Sequence, residues 1–158
     1  MNKRLKKLKL ATFALAIGLF TASLFRPAVS YEVKDHTRNL TGAMCLAFGW
    51  ADESVYWFAN PIFAFCCFLL LYQRRINGWL PGLAFLGCLV ALSSLGKTSI
   101  RLETFGPRNR VVGMSDGYYL WLASFCVLLA CGLALFFLER SRSLEDQDSN
   151  ESPPAEAA

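Results

Sequence analysis

Few side chains in this sequence could carry covalent or metal chemistry. The single histidine, His36, stands beside Asp35 in a polar stretch; such a pair can act as an acid–base couple or begin a metal site once a nucleophile or further ligands join it. The adjacent carboxylates Asp52 and Glu53 are the second candidate. The simpler reading of both pairs is a solvated loop and a helix terminus. An enzyme of the membrane interface would need Asp35, His36, Asp52 and Glu53 to converge in space.

The six cysteines are the other reactive groups. Cys66, Cys67, Cys88, Cys126 and Cys131 all fall within apolar runs, and no C-x-x-C occurs. Neighbours such as Cys66 and Cys67 point about 100° apart on a helix, which suits neither a disulfide nor joint chelation, so these thiols read as small hydrophobes in packing. Cys45 alone lies outside the apolar runs and has no thiol on its own side to pair with. No catalytic residue, no cofactor-binding residue and no metal ligand is assigned from the sequence.

The elements around these residues are dominated by hydrocarbon. The chain has 158 residues, of which 54% are hydrophobic, with a mean hydropathy of +0.36, too apolar for a soluble domain with a charged skin. The net charge of +4 is spread between apolar runs rather than gathered in a stripe, which argues against nucleic acid as a partner. Crossing a hydrocarbon core ~30 Å thick takes about 20 apolar residues. Four stretches qualify: 10–25, 55–72, 79–96 and 118–138, none of which contains Lys, Asp, Glu or His. Tyr56, Trp57, Tyr72, Trp79, Tyr118, Tyr119 and Trp121 mark their ends, as expected of rings seated at headgroup level. The expected fold class is therefore all-α, a transmembrane bundle of four helices over residues 1–140.

Basic residues set the expected orientation. Nine fall on one side (Lys3, Arg4, Lys6, Lys7, Lys9, Arg74, Arg75, Arg140 and Arg142) and seven on the other (Arg26, Lys34, Arg38, Lys97, Arg101, Arg108 and Arg110). The first side is assigned to the cytoplasm, with both termini. A competing reading stays open: a basic start, an apolar run and Ala28-Val29-Ser30 also describe a secretory signal. Cleavage there would leave three spans and the same sidedness.

Two outside loops and a tail complete the organisation. Residues 26–54 begin polar and then hold an apolar octet at 43–50, too short to span and suited to an interfacial helix or a re-entrant element. Residues 97–117 place Ile100, Leu102, Val111 and Val112 around a Gly106-Pro107 turn, the pattern of a hairpin. Residues 141–158 are polar and acidic, which predicts a disordered cytoplasmic tail. Gly87 and Ala91, like Ala130 and Ala134, are four apart and offer close helix contacts. Asn60-Pro61 suits a helix start, with Asn60 either capping it or bonding a neighbouring helix.

Trp57-Phe58-Ala59-Asn60-Pro61 and Gly117-Tyr118-Tyr119-Leu120-Trp121-Leu122-Ala123-Ser124 resemble the span openings of small four-span bacterial inner-membrane proteins of unknown function, over roughly residues 45–138. The resemblance implies a bacterial inner membrane and no particular activity. By elimination, the chain reads as a non-enzymatic accessory or interaction protein in the lipid bilayer. Arg101, Arg108 and Arg110 are its candidate contacts for anionic headgroups or for another membrane or periplasmic protein. The alternative is a small-molecule channel or transporter made by a homo-oligomer, with a pore lined by Ser93, Ser94 or Asn60. Against it, no ionisable group lies within the strong spans, where ion-coupled carriers keep theirs.

Overall fold

The computed structural model describes residues 3–33, 36–49, 55–72, 78–101 and 108–151. Helix α1 (Lys3–Leu24) is followed by strands β1 (Pro27–Val33) and β2 (His36–Thr41) and the short helix α2 (Gly42–Phe48). A 3-10 turn at Val55–Phe58 leads into α3 (Ala59–Tyr72), and α4 (Trp79–Leu92) runs on through a second such turn at Ser93–Gly96. Strands β3 (Ser99–Arg101) and β4 (Arg108–Met114) precede α5 (Asp116–Glu151). Among the described residues, four helical segments are long and apolar enough to cross a membrane: Leu5–Leu24, Val55–Tyr72, Trp79–Gly96 and Asp116–Ser141.

Helix α5 packs against α1 and α4, while α3 packs against α4 and α1. Aromatic rings join them: Phe20 of α1 stacks on Phe63 of α3 at 4.6 Å, and Phe63 meets Phe125 of α5 edge-on at 5.3 Å. Ala16, Ala59, Ala84 and Ala91 are fully buried, as expected where backbones must approach closely without a hydrophobic driving force between helices. Gly87 does this for Phe125, since a Cβ there would stand 2.8 Å from the ring. Phe65, Phe68, Leu71, Phe85, Leu86, Leu89 and Phe137 point outward and are about half exposed, a belt that only an apolar surround would cover.

The all-α expectation needs correction. A four-stranded sheet of order β2-β1-β4-β3, antiparallel throughout, sits at the end of the bundle where α1 and α4 finish and α3 and α5 begin. The outer antiparallel pair, β3 with β4, follows the apolar positions at Ile100 and Val111; residues 102–107, where the sequence places the turn, lie outside the described residues. Strand β1 is disguised in the sequence. Ala28 and Tyr31 are both buried although residues three apart face opposite ways on a regular strand. The register with β2 shifts between Pro27 and Val29, where Ala28 is the extra residue, and such a bulge turns Ala28 to the face that Tyr31 shares.

Two further elements depart from expectation or refine it. Helix α2 is capped by Thr41, whose Oγ1 accepts from the Met44 backbone N–H at 3.4 Å; it occupies the apolar octet expected at 43–50, which ends in Trp50, outside the described residues. The tail expected to be disordered from Ser141 starts as a continuation of α5 to Glu151. Extending an existing helix adds a hydrogen bond per residue without a new nucleation cost, so a polar segment of ordinary propensity can follow a membrane helix outward.

Candidate functional site

The sheet stands off the helix ends and encloses a partly open cavity of ≈ 300 Å³. Its roof is the inner face of the sheet, with Ala28, Tyr31, Ile100, Val111 and Met114; Phe20 and Leu24 of α1 form one wall and Met44, Leu46 and Phe48 of α2 another. Most of this lining is hydrocarbon, as in most small-molecule sites.

The polar groups around the cavity are few and specifically engaged. Asn60, the second residue of α3, donates Nδ2–H to the Trp57 carbonyl at 3.1 Å, and its Oδ1 accepts from Trp121 Nε1 at 3.0 Å. It thus ties α3 to α5, and Pro61 beside it lies in the first turn of α3. Trp57 Nε1 donates to the Leu46 carbonyl at 2.9 Å, fastening α2 to the start of α3. Tyr118 and Ser94 both donate to the Ala91 carbonyl, at 3.1 and 2.7 Å. Lys97, just beyond α4, donates to the Tyr56 hydroxyl, and its Nζ lies 4.5 Å from the centroid of the Tyr56 ring, a cation–π geometry.

Cys45 also lines the cavity. All six thiols are free. Burial pushes the Cys45 thiol up to about 11, against a smaller lowering by the positive charge of Lys97. The thiol is therefore protonated at neutral pH. Since the thiolate is the reactive form, alkylation of Cys45 by iodoacetamide is expected to rise about tenfold per pH unit between pH 7 and 9. Peptide mass spectrometry of the labelled protein would follow this, and a flat profile would show an already ionised thiol.

The residues singled out by sequence fall in different places. The sheet register sets Arg101 opposite Arg108, and Arg110 two residues further along β4 opposite Ser99. These three positions share the face opposite buried Ile100, the outer one, where Glu32 of β1 is paired with Arg110. His36 opens β2 on the surface, exposed and paired in register with Val33. Asp35, Asp52 and Glu53 lie outside the described residues. Among the described residues no three His, Cys, Asp or Glu side chains come together to hold a metal. Ser93, Ser94 and Ser124 each donate to the carbonyl three residues back, at 2.6, 2.7 and 2.6 Å, so these hydroxyls serve their own helices.

The cavity itself was not legible in the sequence. Its lining comes from α1, α2, the helix ends and all four strands except for their outward positions, and the one local signal, aromatic and polar residues clustered at span ends, reads equally well as headgroup markers.

Among the described residues, four helices long and apolar enough to cross a membrane carry an antiparallel sheet at one end with a cavity between, which defines the class: a helical bundle with a β-cap. No family model matches this chain, and neither the curated proteins nor the solved structures contain a significant match to it.

Proposed function

We propose that this chain is a non-enzymatic accessory protein of the bacterial inner membrane that presents the outer face of its sheet to an acidic partner on the periplasmic side. The observation that carries this reading is the gathering of Arg101, Arg108 and Arg110 at neighbouring positions on one sheet face. Arg101 and Arg108 are set directly across the strands, a like-charge pairing that costs stability and that an anionic surface covering the face would offset, while Arg110 has Glu32 opposite it on β1. Strands on a bundle hold the three positions more rigidly than a loop would, which reduces the ordering cost of binding.

In this arrangement both termini are cytoplasmic and α1 stays in the mature protein. Leu5, Lys9, Thr12, Ala16 and Ser23 are buried along α1, and its Phe20 covers Phe63. A chain starting near Tyr31 would uncover that packing. The N-terminal peptide of the protein recovered from native membranes checks this point directly.

The principal test is affinity purification of the tagged protein from native membranes, with Arg101, Arg108 and Arg110 all replaced by Gln in a second preparation. A stoichiometric partner is expected with the native chain, and its recovery is expected to fall at least about tenfold in the triple variant, since interfacial charge pairs are worth ~1.5 kcal/mol or more each. Equal recovery from both would remove the arginine face from the interface. Recovery of homo-oligomers alone would favour the channel or transporter instead.

A further inference from the structure

We propose that Cys88 of α4 and Cys126 of α5 form a redox pair that closes to a disulfide when an apolar hydroperoxide reaches Cys126 from the acyl region of the bilayer. The inference rests on the membrane placement proposed above and not on the partner. The two cysteines fall near the middle of the apolar segments Trp79–Gly96 and Asp116–Ser141. Their thiols meet where α4 packs against α5, each within hydrogen-bonding reach of the other. Contacts on both sides fix the two helices at this level. A Cβ on Gly87 would meet the Phe125 ring, one on Gly132 would touch Leu80, and the Tyr118 hydroxyl donates to the Ala91 carbonyl. A disulfide needs Cα atoms about 4.4–6.8 Å apart, closer than most helix pairs allow. Glycine at 87 and the fully buried alanines at 84 and 91 supply that approach beside Cys88.

The two thiols differ in access, which assigns their roles. Cys126 is exposed on the outside of the bundle, while Cys88 is buried, as are Cys66 and Cys67 of α3. An oxidant dissolved in hydrocarbon therefore meets Cys126 first, and Cys88 is the thiol placed to resolve it, the arrangement of a reversible sulfur switch. In the first step the Cys126 sulfur attacks the outer oxygen of the hydroperoxide. The O–O bond breaks, an S–O bond forms, and the thiol proton leaves with the alkoxide as an alcohol. In the second step the Cys88 sulfur attacks the sulfur of the Cys126 sulfenic acid. The S–S bond forms, the S–O bond breaks, and hydroxide leaves with the Cys88 proton as water. The hydroperoxide gains two electrons and the thiol pair loses two. The stretch of chain between the two cysteines carries β3 and β4, so the disulfide fastens together the two helices from which the outer half of the sheet is hung.

The test is treatment of the full chain in phospholipid vesicles with cumene hydroperoxide, followed by alkylation of the remaining thiols and peptide mass spectrometry. A peptide linking Cys88 to Cys126 is expected, and it should disappear on reduction with a membrane-permeant thiol. Hydrogen peroxide, which favours water, should produce it at least about tenfold more slowly at equal concentration, because an apolar solute concentrates in hydrocarbon. Cys88→Ser should halt the reaction at the Cys126 sulfenic acid, trapped by dimedone, and Cys126→Ser should leave Cys88 reduced. Cys131→Ser, further along α5, should leave the linked peptide unchanged. Thermal unfolding in detergent should give a higher Tm for the oxidised native chain than for the reduced one, and no such difference for Cys126→Ser. Absence of the linked peptide, a link from Cys88 to Cys66 in its place, or oxidation of Cys88 in Cys126→Ser would overturn the proposal. Equal rates with the two peroxides would overturn it too, and would count against the membrane placement of these helices. The arginine face is not altered in any of these variants, so failure here and failure of partner capture are separate results.

Discussion

Gly42→Ala is expected to destabilise the protein more than any other single methyl addition considered. A Cβ on Gly42 would lie 2.3 Å from the Ser23 carbonyl oxygen, 2.9 Å from its carbon and 3.0 Å from the Leu24 Cα. All three are backbone atoms at the end of α1, so no rotamer change relieves the clash. Gly42 also donates its N–H to the Arg26 carbonyl at 3.0 Å, and any shift that makes room strains this bond. The opposite side of the same corner is held by Gly117, whose Cβ would meet the Arg26 and Pro27 oxygens at 2.8 Å and the Ser23 oxygen at 3.0 Å. The corner from Ser23 to Pro27 is thus gripped between the start of α2 and the start of α5, which is how the sheet is seated on the bundle.

Overpacking of this kind costs about 3 kcal/mol, or roughly 6–12 °C in Tm for a chain of this size, read by thermal unfolding in detergent. Gly18→Ala is the control. Nothing lies within 4 Å of a Cβ there, and within a helix the exchange favours the folded state by up to ~1 kcal/mol. Equal melting of Gly42→Ala and Gly18→Ala would mean that α1 and α2 do not approach as closely as described.

The second large effect is at the other end of the bundle. Lys9 of α1 is 5% exposed, and its Nζ stands 3.7 Å from Glu139 Oε1 of α5, the two side chains being 6% and 18% exposed. Removing one member of a buried ion pair leaves behind the desolvation cost of the other charge without their mutual attraction. Lys9→Met and Glu139→Leu are each expected to cost about 3 kcal/mol. The double variant Lys9→Met/Glu139→Leu should recover much of that loss, because neither charge is then buried. Melting of the two single variants and the double gives the coupling directly. Additive losses would show that the two residues act separately, and α1 would then be anchored by its apolar face alone.

What was legible in the sequence follows from locality. A helix that meets hydrocarbon needs only length and freedom from charge, properties of a contiguous segment, so the runs 55–72 and 79–96 coincide with the segments Val55–Tyr72 and Trp79–Gly96 that are long and apolar enough to span. The start of α3 near Asn60-Pro61 is local in the same way, since proline in the first turn forfeits no intrahelical bond. The antiparallel pairing of β3 and β4 was legible from the apolar residues Ile100 and Val111 on either side of Gly106-Pro107.

The remaining features depended on residues distant in the chain. Strand β1 shows no regular alternation because its bulge at Ala28 resets the facing of that residue, and its partners are β2 on one side and β4, some eighty residues later, on the other. Whether Asn60 caps a helix or bridges two was decided by the position of Trp121. Lys9 counted, by sequence, as one of five basic residues marking a cytoplasmic end, and only the approach of Glu139 distinguishes it from its neighbours. The cavity has no sequence signature at all, because an enclosed space is a property of how elements stand apart. The bundle could be read segment by segment; the cap, the ion pair and the site arise from contacts between segments, which only the tertiary structure decides.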